Sequence, residues 1–429
     1  MLSAHDNEIL TRTGPGTPMG DLFRRFWIPV ALAEELPHPD SDPIRLKVLG
    51  ENLVAFRDTN GNVGLLDNFC PHRRASLFFG RNEECGLRCV YHGWKFDING
   101  DCVDMPSEPA ESNFKDKVKI TAYPTQEFGS VIWAYMGPPD LKPELPQFEW
   151  ALVPESHRLV TRWTQDSNFM QAVEGEIDSA HISYLHSTFK REDGAGGATS
   201  TFAGSKKGAP ELTIKETDYG FIYGARRDAG ENGESNWWRA TQWLLPAFSL
   251  IAGKGWPRGG HMYFPQDDEH ISAWEYAYNP NEPLTEEQRI EGRTKFKIFP
   301  TTHTLPDGSI TDTFRMEANE SNDFLMDRQA QREWSYTGIT GGRHQDMAMT
   351  LSMGLISNRE GEHLGTSDKA IITARRRLIQ MARDLQEGIE PYAATHGDLY
   401  KVRGIDFIAP EHDFFDFLES HGELGVAQT

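Results

Sequence analysis

Cys70-Pro71-His72 is followed, after sixteen residues, by Cys89-Val90-Tyr91-His92. Each half offers one thiolate and one neutral imidazole, both ligands for transition metals. Cys₂His₂ is also a zinc set. Structural zinc sites, however, usually pair Cys with Cys in one half and His with His in the other. A mixed half at each end suits a [2Fe–2S] cluster, with two thiolates on one iron and two imidazoles on the other.

That ligand set is the Rieske centre. Neutral histidines raise its potential to about −150 to +300 mV, against roughly −400 mV for all-cysteine plant-type clusters. Gly93 permits a close backbone approach to a sulfide, and Trp94 is placed to cover the cluster. Cys85 and Cys102 stand outside the motif and read as free thiols.

A second group follows: Asp178, His181 and His186 in Asp-x-x-His-x-x-x-x-His. On a helix, Asp178 and His181 share a face. His181 and His186 lie about 140° apart on an ideal helix. A shared metal therefore requires a helix end or a π-type widening near Ser183. Two histidines and one carboxylate, with positions left open, form the facial triad of non-haem Fe(II) oxygenases. One centre stores an electron and the other spends electrons on O₂, a coherent pair for one chain.

The elements that must hold these ligands can be read around them. Residues 1–40 form a short arm with a helix on Leu22, Phe23, Phe26 and Trp27, ended by Pro29. The arm is expected to pack on the catalytic domain. Residues 41–145 read as an all-β domain. Its runs at 44–50, 52–58, 63–69 and 131–137 carry strand patterning, with turns at Asn60-Gly61 and Asn99-Gly100. Pro138, Pro139, Pro143 and Pro146 mark a boundary. Residues 146–429 read as an α+β domain. It has a Pro-free helical stretch over 168–186, strands near 221–227, 237–245 and 270–278, and a loop over 194–210. A further helix spans 368–387, capped by Ser367 and ended by Gly388.

At 429 residues, two or more domains are expected. The net charge of −21 argues against nucleic acid as a partner. No run of about 18 apolar residues suits a membrane span, and the N-terminus carries no signal pattern. Four cysteines in so long a chain fit a reducing, cytoplasmic compartment.

With both motifs in place, the chain resembles the Rieske non-haem iron aromatic ring-hydroxylating oxygenases, large (α) subunit. It is most similar to their phthalate dioxygenase-like branch, on residues 70–102 and 343–371. The resemblance implies an N-terminal Rieske domain and a catalytic domain whose curved antiparallel sheet is covered by helices. It implies one Rieske [2Fe–2S] cluster and one mononuclear Fe(II) per chain. It supplies a third iron ligand, Asp346, with Glu317, Asp323 and Asp327 as rivals. It gives Asp178 a bridging role between His181 and a cluster histidine of a neighbouring subunit, in a homotrimer or a hexamer of stacked trimers. It implies a reductase partner carrying flavin and a plant-type [2Fe–2S] cluster, fed by NADH.

The implied reaction is cis-dihydroxylation of an aromatic carboxylate: phthalate, isophthalate or a substituted benzoate. The alternative is monooxygenation or O-demethylation of a methoxy- or phenoxybenzoate. A buried carboxylate requires Arg or Lys. Arg226, Arg227 and Arg239 are the candidates, ahead of Lys206, Lys207 and Lys254. Trp237, Trp238 and Trp243 are candidates for an aromatic pocket wall.

Overall fold

The computed structural model describes residues 2–188, 210–229, 235–253, 255–294, 298–304 and 310–421. Two β-rich parts are joined by the proline-bearing connection. In the N-terminal part, strands Ile44–Val48, Glu51–Arg57, Val63–Asp67 and Ala122–Tyr123 form one antiparallel sheet. Gly61, at φ +87°, turns the chain between the second and third strands. Short strands Arg81–Glu83, Gly86–Arg88, Lys95–Phe96 and Cys102–Asp104 form a second sheet, with Gly100 at φ +82° in its last turn. Both turns demand the left-handed conformation that glycine adopts without a Cβ penalty. Val54, Phe56, Leu66, Leu77, Leu87 and Phe96 pack between the sheets, together with Cys70 and Cys89.

A third sheet corrects the expectation for residues 22–29. The helix ends at Phe23, and Trp27–Leu32 is a strand paired with Val131–Tyr135. Pro29 sits inside it, next to a register shift, where the pairing tolerates a missing donor. Leu22 and Phe23 do lie on the helix, but Trp27 opens a fully buried strand. A helix at Ala4–Thr11, capped by Ser3, has no counterpart in the sequence reading.

The C-terminal part is built on an eight-stranded antiparallel sheet. Along it run Arg158–Gln165, Ile271–Tyr278, Arg258–Pro265, Phe248–Leu250, Ser235–Leu244, Gly220–Ala229 and Glu211–Thr217, with Ile405–Ala409 also paired to Ser235–Leu244. Helix Phe169–Ile177 packs between strand Arg258–Pro265 and helix Gly342–Ser352. A Cβ at Gly175 would stand 3.1 Å from Thr350 Cγ2, so the two helices meet closely there. Helix Lys369–Gln386 packs on the two N-terminal helices. Among the described residues, no helix is long and apolar enough to cross a membrane.

The stretch 168–186 is not one helix. It begins at Asn168, whose side chain caps Met170, and stops at Ile177. Asp178 has extended dihedrals and its Oδ1 accepts from Ala180 N at 2.7 Å. This local bond competes with continued helix. A 3₁₀ turn, His181–Ser183, follows. The later helix starts at Lys369 with Asp368 in the cap position, not Ser367, because a 3₁₀ turn over Thr366–Asp368 precedes it. Gly388 ends it at φ +84°.

Candidate active site

Cys70 and Cys89 lie on two loops of similar build. Arg74 N bonds Cys70 O at 2.8 Å, and Gly93 N bonds Cys89 O at 2.9 Å, so each loop closes on its own cysteine. Both sulfurs are buried. A hydrogen bond between them pushes the Cys70 thiol up and brings Cys89 down to about 6. His72 and His92 are half-buried, with ring centroids 4.4 Å apart. A buried sulfur pair and an outward imidazole pair match the two ends of the mixed-ligand cluster. Trp94 stacks on His72 at 4.5 Å and donates to Ser107 Oγ. Gly93, at φ +81°, also makes room for its neighbours. A Cβ there would meet Pro106 Cγ at 2.6 Å, so the glycine admits the neighbouring 105–107 loop.

In the C-terminal part, His181 Nε2 and His186 Nε2 lie 3.5 and 3.2 Å from Asp346 Oδ1. Among the described residues, these three form the one His/Cys/Asp/Glu group whose ligand atoms all lie within 4.8 Å of each other. Asp346 Oδ1 is buried and makes no hydrogen bond of normal geometry. An anionic oxygen so placed needs a cation. The donor set of two imidazoles and one carboxylate suits Fe(II) with open positions. The helix end after Ile177 lets the two histidines turn inward together, with ring centroids 5.1 Å apart. Of the rival carboxylates, Asp327 caps helix Arg328–Glu333 and Asp323 is exposed; neither they nor Glu317 join the group.

Asp178 Oδ2 stands 3.5 Å from His181 Nδ1. Burial pushes the Asp178 carboxyl up, but bonds from His181 and the Ala180 backbone hold it below its ordinary value. On the other side, His186 Nδ1 lies 2.6 Å from Gln345 Oε1. Burial also opposes ionisation of Asp346, yet His186 and Arg343 keep it below the usual carboxylate range.

His181 and Asp346, with Asp178, form a wall shared by two cavities, and His186 lines the first. One, of about 430 Å³, is also lined by Glu176, Tyr223, Arg239, Thr241, His261 and Arg343. The other, of about 470 Å³, is mostly apolar and runs past Tyr184, Ile339, Met349 and Met353. Of the three candidate arginines, Arg239 lines the first cavity. Arg226 points to the opposite face of its strand, toward Glu211 and Asn236. Arg227 points inward but donates to Ser179 O at 2.6 Å and is absent from the lining. Trp237, Trp238 and Trp243 are core residues: Trp237 donates to Asp406, Trp238 packs on Phe414 and Phe417, and Trp243 packs on Phe221. Lys206, Lys207 and Lys254, and all of the 194–210 loop except Pro210, lie outside the described residues.

Sequence reasoning missed a buried group beside the triad. Glu176 accepts from Ser249 Oγ, His261 Nδ1 and Tyr263 Oη at 2.9–3.0 Å. Arg343 donates to Tyr263 and His261 and lies 3.5 Å from Asp346 Oδ2. The one local signal was the i, i+3 spacing of Arg343 and Asp346 on a helix.

A Rieske [2Fe-2S] domain family matches residues 26–124, and a LigXa C-terminal domain-like family matches residues 134–413. The phthalate 4,5-dioxygenase oxygenase subunit of Pseudomonas putida is 41% identical over 90% of this chain and 88% of its own. The 3-chlorobenzoate-3,4-dioxygenase oxygenase subunit of Comamonas testosteroni is 37% identical over 93% of both. The 5,5'-dehydrodivanillate O-demethylase oxygenase subunit of a Sphingobium strain is 33% identical over 92% of this chain and 83% of its own. Dicamba monooxygenase bound to dicamba shares the fold at 18% identity, with a TM-score of 0.56 over 85% of this chain and 98% of that one.

Matched fold, paired donor sets and relatives together define the class: the chain belongs to the Rieske non-haem iron oxygenases, as the large subunit of a ring-hydroxylating system. Within that class it falls in the phthalate dioxygenase-like branch. Proteins of this class hold one Rieske [2Fe–2S] cluster and one mononuclear iron per chain.

Proposed function

We propose that this subunit catalyses NADH- and O₂-dependent cis-dihydroxylation of an aromatic carboxylate, namely phthalate, isophthalate or a substituted benzoate. The observation that carries the reading is one cavity with Arg239 in its wall and the His181–His186–Asp346 group at its edge. Two relatives, a phthalate and a chlorobenzoate dioxygenase subunit, point the same way.

Cys70, His72, Cys89 and His92 would hold the cluster, and His181, His186 and Asp346 the iron; when bound, these supply electron storage and O₂ activation. Arg239 binds the substrate carboxylate with its guanidinium fork. Tyr223, Ile251 and Thr241 set the ring beside the metal-facing atoms. Arg343, held by Glu176, Tyr263 and His261, is committed to the protein and balances the negative charge of Asp346 in the cavity wall. Asp178 orients His181 through Nδ1 and offers its remaining edge to a cluster histidine of a neighbouring copy, across the apolar second cavity. A homotrimer, or a hexamer of stacked trimers, provides that copy. The electron donor is a reductase with flavin and a plant-type [2Fe–2S] cluster.

A screen of aromatic acids with reductase, NADH and ¹⁸O₂ tests this. Two labelled oxygens on adjacent ring carbons are expected. A single labelled oxygen, or loss of a methyl group as formaldehyde, supports the O-demethylase alternative, which the 33% identical demethylase subunit favours.

A further inference from the structure

We propose that Gln345 is a positioning residue that decides which nitrogen His186 offers to the metal. The inference rests on reading His181, His186 and Asp346 as the iron site. Gln345 lies on helix Gly342–Ser352, one residue before Asp346, and is 8% exposed. Its Nε2 donates to Ile339 O at 2.8 Å and to Thr337 Oγ1 at 3.0 Å. A backbone carbonyl only accepts, so the amide NH₂ must face Ile339 and Oε1 must point the other way. Oε1 is the atom 2.6 Å from His186 Nδ1. An amide oxygen also only accepts, so Nδ1 carries the hydrogen. Neutral imidazole has one N–H, and Nε2 is left with its lone pair. Nε2 is the nitrogen that faces Asp346 Oδ1.

The tautomer of His186 is thus set by a backbone carbonyl two bonds of the network away. Were Gln345 turned over, its NH₂ would face Nδ1 and drive the imidazole proton to Nε2, into the metal position. The segment before the helix is itself fixed: Gly338 N bonds Ser335 Oγ, and Ile339 N bonds Thr337 Oγ1. The two histidines are therefore oriented by different chemistry. His181 faces a carboxylate, which raises ligand basicity. His186 faces a neutral amide, which fixes direction without adding charge to a site already holding Asp346.

The test uses the full chain with its cluster loaded and the mononuclear site emptied, then titrated with Co(II). Gln345→Leu removes the acceptor; its Co(II) affinity is expected to fall about 10–100-fold. Gln345→Glu keeps an oxygen toward Nδ1 and is expected to bind more tightly than the leucine variant. Proton NMR of the Co(II) protein supplies a readout that a general packing defect would not move. Two shifted, solvent-exchangeable imidazole N–H signals are expected in the wild type and in Gln345→Glu. In Gln345→Leu, only the His181 signal should stay protected from exchange. Gln345→Met, of similar size, gives the same reading should leucine prevent folding. Wild-type affinity with both protected signals in a folded leucine or methionine variant would overturn the proposal. Failure of the wild-type chain itself to bind Co(II) would instead overturn the metal site beneath it.

Discussion

Two arginines face the cavity beside the triad, Arg239 and Arg343. Arg343 is engaged by Tyr263, His261 and Glu176 and stands against Asp346. Under the proposed function Arg239, which stands 3.8 Å from Asp406 Oδ2, binds the substrate carboxylate. A hydrogen bond to a charged group is worth about 1.5–3 kcal/mol. Arg239→Lys, which keeps the charge and loses the fork, is expected to raise KM for an aromatic carboxylate about tenfold or more, with a smaller change in kcat. Steady-state kinetics on the acid and on its neutral amide check this: an equal loss on both would contradict the assignment. Asp178→Asn retains the shape beside His181 Nδ1 while removing the anion. Iron content is expected to stay at the wild-type value, while NADH-coupled turnover falls by more than about tenfold; unchanged turnover would refute the bridging role. His181 and His186, like the four cluster ligands, were legible because their spacing is local; Asp346, far along the chain, came only from the resemblance. Gln345, Arg343, Glu176 and His261 were not, because three separate elements bring them together and no short spacing records it.

Elements place these side chains through a few buried ties. Glu174, on the helix that ends at Asp178, accepts from Arg359 at 3.0 and 3.1 Å and from Arg375 at 2.6 Å, and Arg359 also reaches Asn7. This links the first helix, helix Phe169–Ile177 and helix Lys369–Gln386. Removing one partner of a buried pair strands the other charges, so Glu174→Ala is expected to cost about 3–5 kcal/mol. Denaturant unfolding measures that. The two parts of the chain also meet through charge, because Lys47 of the N-terminal sheet pairs with Asp267 at 2.6 Å. Asp267 in turn bonds His270 at 2.8 Å. Burial pushes Asp267 up, but His270 and Lys47 reverse this and its carboxyl sits below the ordinary value. The Asp267 bond raises His270. The aspartate therefore stabilises the fold above its unfolded pKa of about 3.9, and the contribution fades as pH falls. The histidine stabilises it fully below about 6.5, and that contribution fades as pH rises through its raised value. The loss of Tm in Asp267→Asn should be larger at pH 5.5 than at pH 9; an equal loss at both would contradict the pairing. Strands in the sequence were legible from alternation and turn glycines. The helix over 168–186 was over-read, since periodicity carries no mark of the Asp178 side chain taking the Ala180 amide.

At the scale of the molecule, two donor sets share one chain: a half-exposed histidine pair in the N-terminal sheets and a triad between two cavities in the C-terminal part. The order of an all-β part followed by an α+β part was legible in the change of pattern along the chain. The strand Trp27–Leu32, which returns to pair with Val131–Tyr135, was not, because its partner is over 90 residues away. Purified protein is expected to hold about three irons and two sulfides per chain; one or two irons would leave a centre out. The most direct test is a single turnover. The cluster is reduced without reductase present, an aromatic acid is added, and ¹⁸O₂ is admitted. The expected result is reoxidation of the cluster together with a cis-diol carrying two labelled oxygens. Product formed while the cluster stays reduced, or reoxidation at the same rate and with no product in the Asp178→Asn chain, would contradict electron exchange between the two centres.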